Sequence, residues 1–387
     1  KKRDISFAWG PATDQNLKRI DRIEFTVASF VGGKGTVQID NLKFEPLPPE
    51  TNSWPAPSIT ASSSMKGHTS DFITDNNDST YWLNRKTKSQ NVTVDFRTKR
   101  EFGGLLIKWL KGHHAKSFDI LLSEDGKNWE KVYSVQSNRS DVSFIRLPQA
   151  EAVYLRINLT TPGNEMDFGI AGIKFPDLYS TLTPNDFLKY AAANSPAGNY
   201  PRYFSEQASY WTVTGVNNDV KEALISEDGT VEVDKGLFSI EPVLRVGDSL
   251  YNWSNVKPVQ SMGFPHGGSG FVFLPSVTWL CNDMKFVTGV SSGGTANIDS
   301  RLNIGYSLAN LSDQPRDIEL YLLIRPFQVN PYYQFLNSVG GAGKINSISE
   351  EAGDLIVVDE KVILSTRQYD SFGAAVFDEG NIVDFIR

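Results

Sequence analysis

Cysteine is nearly absent from the sequence, which has one cysteine, Cys281, in 387 residues. A single cysteine excludes an intrachain disulfide and a zinc site built from several cysteines. A catalytic thiol would need a base beside it, and none of the four histidines adjoins Cys281 in the sequence. We therefore expect Cys281, in the segment VTWLCNDMKF, to be a buried strand residue, with a nucleophilic thiol as the alternative.

An excess of basic residues and long apolar runs are also lacking. The chain has 38 Lys and Arg against 45 Asp and Glu, which gives a net charge of −7. This balance argues against nucleic acid as a partner. No apolar run reaches the length of a membrane span, so we expect no membrane-spanning segment. The first residues, KKRDISFAW, contain no signal-peptide core, and we expect a mature or excised piece of a protein.

Glycine, proline and aromatic residues are plentiful. The 31 Gly and 19 Pro are scattered at turn-like spacings, which favours many short strands over long helices. The chain is too long for one ordinary core, so it predicts two or three domains. Aromatic residues make up 12% of the chain, as expected where sandwich cores are filled or flat apolar faces meet sugar rings.

Residues 1–48 read as a small β-structure. Alternating apolar residues predict one strand around Ile23 and Phe25, and the turn Gly32–Gly35 predicts a hairpin with a second strand through Val37 and Ile39. The phrase GTVQIDNLKF resembles the closing strands of jelly-roll carbohydrate-binding modules. We predict that residues 1–48 are the C-terminal remnant of such a module, followed by a Pro-rich linker over residues 49–58.

Residues 59–178 predict a β-sandwich, because strand-like segments recur every ten or so residues. These segments are NVTVDF, FGGLLIKWL, SFDILLSED, NWEKVYSV, SFIRLP, AVYLRINLT and FGIAGIKF. The ordered set ITASSS, ITDNNDSTYW, VTVDF, FDILLSEDGKNWEKV, VYLRINL and FGIAGIKF resembles a discoidin-type domain. That is the coagulation-factor 5/8 C-type family, which includes the family 32 carbohydrate-binding modules. The resemblance implies a galactose-binding-like sandwich.

Residues 179–387 predict one helix and many strands. Thr183 is placed to cap the helix in TPNDFLKYAA, with Pro184 at its first position and Asp186 in its first turn. The phrases NYPRYFSEQASYW, SIEPVLRV and LLIRPFQVNPYYQFLN are similar to the sandwich domain before an α/α toroid in glucoamylase-like and phosphorylase-like glycoside-active proteins. The whole chain is thus expected to be all-β, with multidomain β-sandwiches and few short helices.

The discoidin resemblance implies a structural calcium ion in the loop that contains DNNDST. Asp75, Asn77 and Thr80 match the oxygen donors of that loop, and such oxygens suit a hard cation. Gly172 stands where many relatives have a glutamate ligand. A turn held only by hydrogen bonds is therefore the alternative. Trp82, directly after the loop, is expected to be a core residue beneath it.

The same resemblance places sugar binding in the loops at one end of the sandwich. The residues there that match an aromatic stacking partner or hydroxyl-binding side chains are Asn84, Arg85, His113, His114, Asp167 and Phe168. Solvated loop side chains are the alternative for the two histidines and for Arg85.

The last segment raises a catalytic alternative. Several carboxylates, four of them in SEDGTVEVD, fit the paired acid and base of a glycosidase. We instead interpret Asp228–Gly229 as a plain hairpin turn with solvated flanks. A cluster rich in aromatic residues is expected to form the surface that meets a missing C-terminal catalytic domain, with a simple corner of the sheet as the alternative. Its residues are Arg325, Phe327, Gln328, Tyr332 and Tyr333.

These observations and resemblances together imply a non-catalytic carbohydrate-binding and scaffolding portion of a larger, exported bacterial glycoside-active protein. The expected location is secreted, periplasmic or cell-surface, and the expected partner is a glycan or polysaccharide. Two alternatives stay open. In the first alternative, the third segment is itself a glycosidase with paired carboxylates. In the second, the discoidin-type domain mediates protein or cell-surface adhesion, and exposed apolar side chains on that domain would reveal it.

Overall fold

A computed structural model describes residues 22, 24, 35–40, 54–85, 89–164, 167–263, 274–336, 338–351 and 354–387. The backbone forms two compact units, Lys1–Trp54 and Pro55–Arg387. The predicted module remnant and linker lie largely outside the described residues. Within the described stretch 35–40, Val37 and Ile39 are exposed and belong to no strand. The predicted second strand of the hairpin is therefore not observed there, and the domain boundaries stay predictions.

The sheet of residues 58–174 has seven strands in the order β2-β7-β3-β6-β4-β5, with β1 also paired to β3. The strands are β1 Ser58–Ala61, β2 Trp82–Leu83, β3 Gln90–Trp109, β4 Ala115–Ser123, β5 Glu130–Val135, β6 Val142–Pro162 and β7 Gly169–Lys174. All the pairings are antiparallel. A short 3-10 helix, Ser70–Thr74, lies between β1 and β2.

Two of the strands are twice as long as the sequence pattern predicts. NVTVDF and FGGLLIKWL both lie in β3, and SFIRLP and AVYLRINLT both lie in β6. The register between β3 and β6 shifts between Asp95 and Arg100, where Arg97 adopts a positive φ of 63°. Such an irregularity bends a strand without ending it, so polar residues that look like a turn in the sequence lie within one strand.

One core fills this sandwich, and Trp82 lies within it. Trp82 is fully buried, together with Val92, Phe118 and Leu155, and its Nε1 donates to the Ser63 carbonyl oxygen at 3.0 Å. The prediction that Trp82 is a core residue is confirmed. A polar loop runs straight into a tryptophan because the next strand begins with that side chain pointing inward.

The helix of the remaining chain, α1 Pro184–Ala193, begins as predicted. Thr183 Oγ1 accepts from the Asp186 amide at 3.2 Å, and Asp186 Oδ2 accepts from the Thr183 amide at 2.9 Å. This reciprocal pair is a capping box, and Pro184 occupies the first turn, where its missing N–H has no cost. The cap prediction is confirmed.

The described residues after α1 fold into three further antiparallel sheets. The first has six strands in the order β12-β11-β10-β9-β8, with β17 on β11; the second has the order β13-β14-β15-β16, and the third β18-β19-β20. The strands of the first sheet are β8 Trp211–Gly215, β9 Glu222–Ser226, β10 Val231–Glu232, β11 Ser239–Val246, β12 Ser249–Tyr251 and β17 Ile318–Arg325. The strands of the others are β13 Lys257–Gly263, β14 Leu274–Cys281, β15 Met284–Gly293, β16 Arg301–Asn310, β18 Ile348–Glu351, β19 Leu355–Val358 and β20 Lys361–Leu364. A four-residue helix, α2 Ile382–Phe385, follows them.

A second core lies between the six-stranded and four-stranded sheets. Ile225 and Leu244 of the first sheet pack against Trp279 and Phe286 of the second. Cys281 is buried in the same core at the end of β14, and burial raises the pKa of its thiol. The predictions of a buried strand cysteine and of an all-β fold are confirmed. The described part of the chain holds no helix with the length and apolar character needed to cross a membrane.

Two predictions about the last segment are wrong. Asp228 and Glu232, beside the expected Asp228–Gly229 turn, are 6% and 1% exposed, so the flanks of that turn are not solvated. Arg202 compensates Asp228, donating from Nε to Asp228 Oδ2 at 2.8 Å, and its Nη1 lies 2.8 Å from Glu227 Oε1. Glu227 and Asp228 therefore form ion pairs with Arg202, because the turn between β9 and β10 lies against that arginine.

The expected partner surface is the second correction. Arg325, Phe327 and Gln328 are 4%, 6% and 5% exposed, so they form no surface for another domain. Phe327 packs in a cluster with Tyr203 and Phe204, and Tyr332 lies partly buried at its edge. Of the five predicted residues, Tyr333 alone is exposed, by 52%. Phe327 and Tyr332 thus belong to an internal aromatic core and not to an exposed interface.

Candidate functional site

Three connections meet at one end of the residue 58–174 sandwich, around Gly169. Gly169 pairs with Leu83, its carbonyl oxygen accepts from the Leu110 amide at 2.9 Å, and its amide donates to the His113 carbonyl oxygen at 2.9 Å. A Cβ at Gly169 would lie 2.7 Å from the Leu110 Cβ. Glycine at this position therefore allows the segments after β2, after β3 and before β7 to approach closely.

Asn84 and Phe168 connect two of these segments from inside the protein. Asn84 Oδ1 accepts from the Phe168 amide at 2.8 Å, and Asn84 Nδ2 donates to the Arg85 carbonyl oxygen at 2.7 Å. Both residues are fully buried. The prediction that they contact a sugar is therefore wrong. The buried Phe168 ring cannot stack on a ligand from solvent, and both ends of the Asn84 side-chain amide are bonded to the backbone. They hold the segments in place instead.

Arg85 is exposed and fixed at its Nε. That atom donates to the Ser64 carbonyl oxygen at 3.1 Å, and the Arg85 amide donates to Ser63 Oγ at 3.3 Å. The segment 62–65 thereby holds the Arg85 guanidinium at the rim of the three connections. A held, planar guanidinium with several N–H donors is suited to oxygen acceptors on a ligand.

His113 lies with Asn164 and Asp167, next to Gly169. Its Nδ1 is 3.3 Å from Asn164 Nδ2 and 3.8 Å from Asp167 Oδ1. Asn164 Oδ1 accepts from the Asp167 amide at 3.1 Å, and Asn164 Nδ2 donates to the Gly112 carbonyl oxygen at 2.7 Å. The structure thus brings together His113 and Asp167, which the sequence separates by more than fifty residues. Asn164 organises them and is not found by motif matching.

His114 has a more enclosed position. Its ring packs over Gly163, where a Cβ would overlap the imidazole, and its Nδ1 lies 3.5 Å from Asp141 Oδ1. That nitrogen is buried without a hydrogen bond from the described residues. Asp141 Oδ1 accepts from the Gly112 amide at 3.2 Å, so it also shapes the 110–114 turn. The His114 side chain is 18% exposed and packs against the 110–114 turn, whereas the His113 side chain is 32% exposed and lies nearer the surface.

A stacked pair of rings, His68 and Tyr81, lies on the same segments. Their centroids are 4.3 Å apart with an interplanar angle of 14°. The backbone places them there, because the Leu83 amide donates to the His68 carbonyl oxygen at 3.4 Å. Sequence matching did not identify this pair, and alternation along the strand bears only on the direction of the Tyr81 side chain. Since Trp82 points into the core, Tyr81 must point outward.

The loop proposed for calcium is closed by its own hydrogen bonds. Asp75 Oδ1 accepts from the Asn77 amide at 2.9 Å, Asp75 Oδ2 accepts from Thr80 Oγ1 at 2.6 Å, and Thr80 Oγ1 lies 2.9 Å from the Asn77 carbonyl oxygen. The structure therefore brings the three predicted residues together. Carboxylate, carbonyl and hydroxyl oxygens are the donors that calcium accepts.

Gly172 lies near the 3-10 helix that leads into this loop. A Cβ there would lie 3.9 Å from the Ile73 carbonyl oxygen. Lys108, paired with Gly172 across β3 and β7, places Nζ 3.0 Å from Asp78 Oδ1. No group of three or more His, Cys, Asp or Glu side chains suited to a metal occurs in the described ranges. The oxygen chemistry fits a calcium ion, and calcium binding stays a prediction.

Comparison with solved structures found similarity to carbohydrate-binding modules. One is chitosan-binding module 1 of a chitosanase/glucanase from Paenibacillus sp. IK-5, with 21% identity over 30% of this chain and 92% of the module and a TM-score of 0.29. Another is the family 32 CBM of NanJ from C. perfringens in complex with galactose, with 13% identity over 31% of this chain and 92% of that one and a TM-score of 0.29. No curated protein matches the chain.

A family model also matches the segment that carries these loops. The resemblance of residues 179–387 to the sandwich before an α/α toroid stays a prediction. Residues 58–171 match the family model of the F5/8 type C domain.

Proposed function

We propose that the F5/8 type C domain binds a glycan at the end of the sandwich where its loops meet at Gly169. The observation that carries the proposal is the combination, on connected segments, of a stacked aromatic pair, a held guanidinium and a polar cluster. These are His68 with Tyr81, Arg85, and His113 with Asn164 and Asp167. Sugar rings offer apolar C–H faces to aromatic rings and hydroxyls to polar side chains.

The chain's wider role is proposed on the same basis. We infer that it is the carbohydrate-binding and scaffolding portion of a larger exported glycoside-active protein. The resemblance of both sandwich segments to parts of such proteins supports this inference. In the last segment, Glu227, Asp228 and Glu241 lie against arginines, which supports a structural role for them.

A glycan-array screen of the chain, with and without calcium, tests binding, and calorimetry on any hit tests the site. Tyr81→Ala and Arg85→Ala are each expected to weaken binding by at least about tenfold, which corresponds to about 1.4 kcal/mol. Tyr81→Phe keeps the ring and should bind like the wild type. Arg301→Ala removes an arginine 65% exposed on its side chain in another sheet and serves as the matched control.

Two outcomes would overturn the proposal. One is the absence of binding to any glycan on the array by a folded chain. The other is binding that survives both Tyr81→Ala and Arg85→Ala, because a ligand held elsewhere would not sense these side chains.

A further inference from the structure

A pocket of about 250 Å3 lies beside β8 and β9, on the side of the segment that follows β17. It is separate from the F5/8 type C domain. Trp211 and Phe335 contribute aromatic rings to its wall, and Gln328 and Asn330 contribute buried amides.

Two acceptors in this pocket lack donors. Oε1 of Gln328 and Oδ1 of Asn330 are buried, in residues that are 5% and 2% exposed, and neither accepts a hydrogen bond from the part of the chain that the structure describes. Buried polar atoms are nearly always hydrogen-bonded, so a pair of such acceptors in one pocket requires an explanation. Donors on a bound molecule would supply the missing bonds.

The backbone of both residues and the side chain of Gln328 are held by hydrogen bonds. The Gln328 amide N–H donates to the Gly341 carbonyl oxygen at 2.8 Å, and its Nε2 lies 3.3 Å from the Val339 carbonyl oxygen. The Asn330 carbonyl oxygen accepts from the Gly341 amide at 2.8 Å. The fixed backbone keeps both side chains at the pocket wall, which favours selective recognition of a donor.

Charge in the pocket argues against an anionic ligand. Glu232 is 1% exposed and accepts from the backbone amides of Gly236 at 2.7 Å, Val329 at 2.7 Å and Asn330 at 3.1 Å. These bonds use both of its oxygens to hold the pocket wall, and burial raises the pKa of this carboxyl. At the rim, Lys235 Nζ is 3.1 Å from Glu222 Oε2, so its charge is already compensated.

The apolar side of the pocket suits a flat ring. Trp211 is fixed because its Nε1 donates to Gln334 Oε1 at 3.0 Å, and Phe335 is 71% exposed. The volume is below the range of about 300–1,000 Å3 usual for drug-sized ligands, so it admits one ring and not an extended chain. An aromatic wall opposite fixed acceptors matches the C–H face and the hydroxyl edge of a sugar.

We propose that this pocket binds a single pyranose unit of a glycan, whose hydroxyls donate to Gln328 Oε1 and Asn330 Oδ1 while its ring faces Trp211. This site is independent of the one proposed in the F5/8 type C domain. The two can therefore be tested separately on the full chain.

The experiment measures saturation-transfer NMR and calorimetry on the full chain with methyl glucoside, methyl galactoside and methyl mannoside. Binding of at least one is expected in the Arg85→Ala/His113→Ala variant, in which the F5/8 site is disabled. Asn330→Leu and Val213→Trp should each weaken that binding by at least tenfold. Val213 lines the pocket and is 42% exposed, so the larger ring fills the mouth while the buried amides stay intact.

Tyr210→Ala is the matched control, because Tyr210 precedes Trp211, is 68% exposed and does not line the pocket. Unchanged binding in this variant, with loss in Val213→Trp, supports the proposal. It is overturned if the Arg85→Ala/His113→Ala variant binds none of the three glycosides. It is also overturned if binding survives both pocket variants, or if a crystal soaked with the glycosides holds ordered water only at Gln328 and Asn330.

Discussion

Arg325 and Glu241 form an ion pair in the interior of the protein, with both side chains 5% exposed. Arg325 Nε donates to Glu241 Oε2 at 2.8 Å, and Nη1 donates to the Asn199 carbonyl oxygen at 2.6 Å. The antiparallel pairing of β11 with β17 brings the two together, because Ser239 lies opposite Arg325 and Glu241 lies opposite Leu323. Arg325 thus joins a strand to the segment after α1.

Removal of one partner from this pair is expected to be costly. Arg325→Met leaves the Glu241 carboxylate buried without its countercharge and should lower the free energy of unfolding by about 3–5 kcal/mol. Urea titration measures the change. Arg245→Met is the matched control, since its pair with Glu319 is 35% and 50% exposed and should be worth about 1 kcal/mol or less. An equal effect of the two variants would contradict the prediction. Arg325→Met/Glu241→Leu should recover most of the loss, because no unpaired charge stays buried.

Gly163 provides a test of how His114 is placed. Gly163→Ala puts a methyl group into the space of the His114 ring and should destabilise the domain by about 1–3 kcal/mol, as overpacking does. In the His114→Ala background the same change should cost much less. Thermal unfolding of the four proteins gives the coupling. Additive effects would mean that the imidazole moves aside freely and does not support the loop.

Asp125 should govern part of the acid sensitivity. Its Oδ1 accepts from the amides of Lys127 and Asn128, both at 2.8 Å, and the bond from Asn128 is the largest cause that lowers the pKa of this carboxyl. The folded-state pKa is below the unfolded value of about 3.9, so the stabilisation is complete above that pH and is lost as the pH falls.

Asp125→Asn should therefore flatten the fall in stability below about pH 4, measured as urea midpoints between about pH 2.5 and 6. Asp71→Asn changes an exposed carboxylate of the same domain and is the control. If the urea midpoint of Asp125→Asn falls as steeply with decreasing pH as that of the wild type, Asp125 does not cause the acid sensitivity.

Calcium binding at Asp75, Asn77 and Thr80 predicts a metal-dependent stability. Added calcium should raise the unfolding temperature of the wild type, with about 2.7 kcal/mol gained at one hundred times the dissociation constant. Asp75→Ala should abolish the shift, while Asp71→Ala, outside the loop, should keep it. If calcium leaves the wild type unchanged, the loop is held by the Asp75 hydrogen bonds and by Lys108 with Asp78 alone.

Local features of the sequence were predicted well because their physical causes are local. The capping box of α1 joins Thr183 and Asp186, three residues apart, so its chemistry is visible in TPND. Trp82 was assigned to the core because it is a large aromatic residue directly after a polar loop, and alternation applied one residue earlier would have turned Tyr81 away from the core. The ordered strand phrases of the F5/8 type C domain are local in the same sense.

The burial of polar residues could not be predicted in this way. Asn84 looked like a loop donor for a ligand, and Arg325 like part of an interface. Each is buried by a partner 84 residues away, Phe168 in one case and Glu241 in the other. A polar side chain can be buried only where a distant segment supplies its hydrogen bonds, and no short stretch of sequence contains that partner.

Short stretches of the sequence carry the all-β class, the discoidin-type phrases and the start of the helix, because hydrophobic alternation and capping act over a few residues. Only the folded chain shows which loops meet at Gly169, that His68 stacks on Tyr81, and that Gln328 and Asn330 line a pocket. Those relationships depend on strand pairing between distant parts of the chain, where the register of a whole sheet sets which side chains become neighbours.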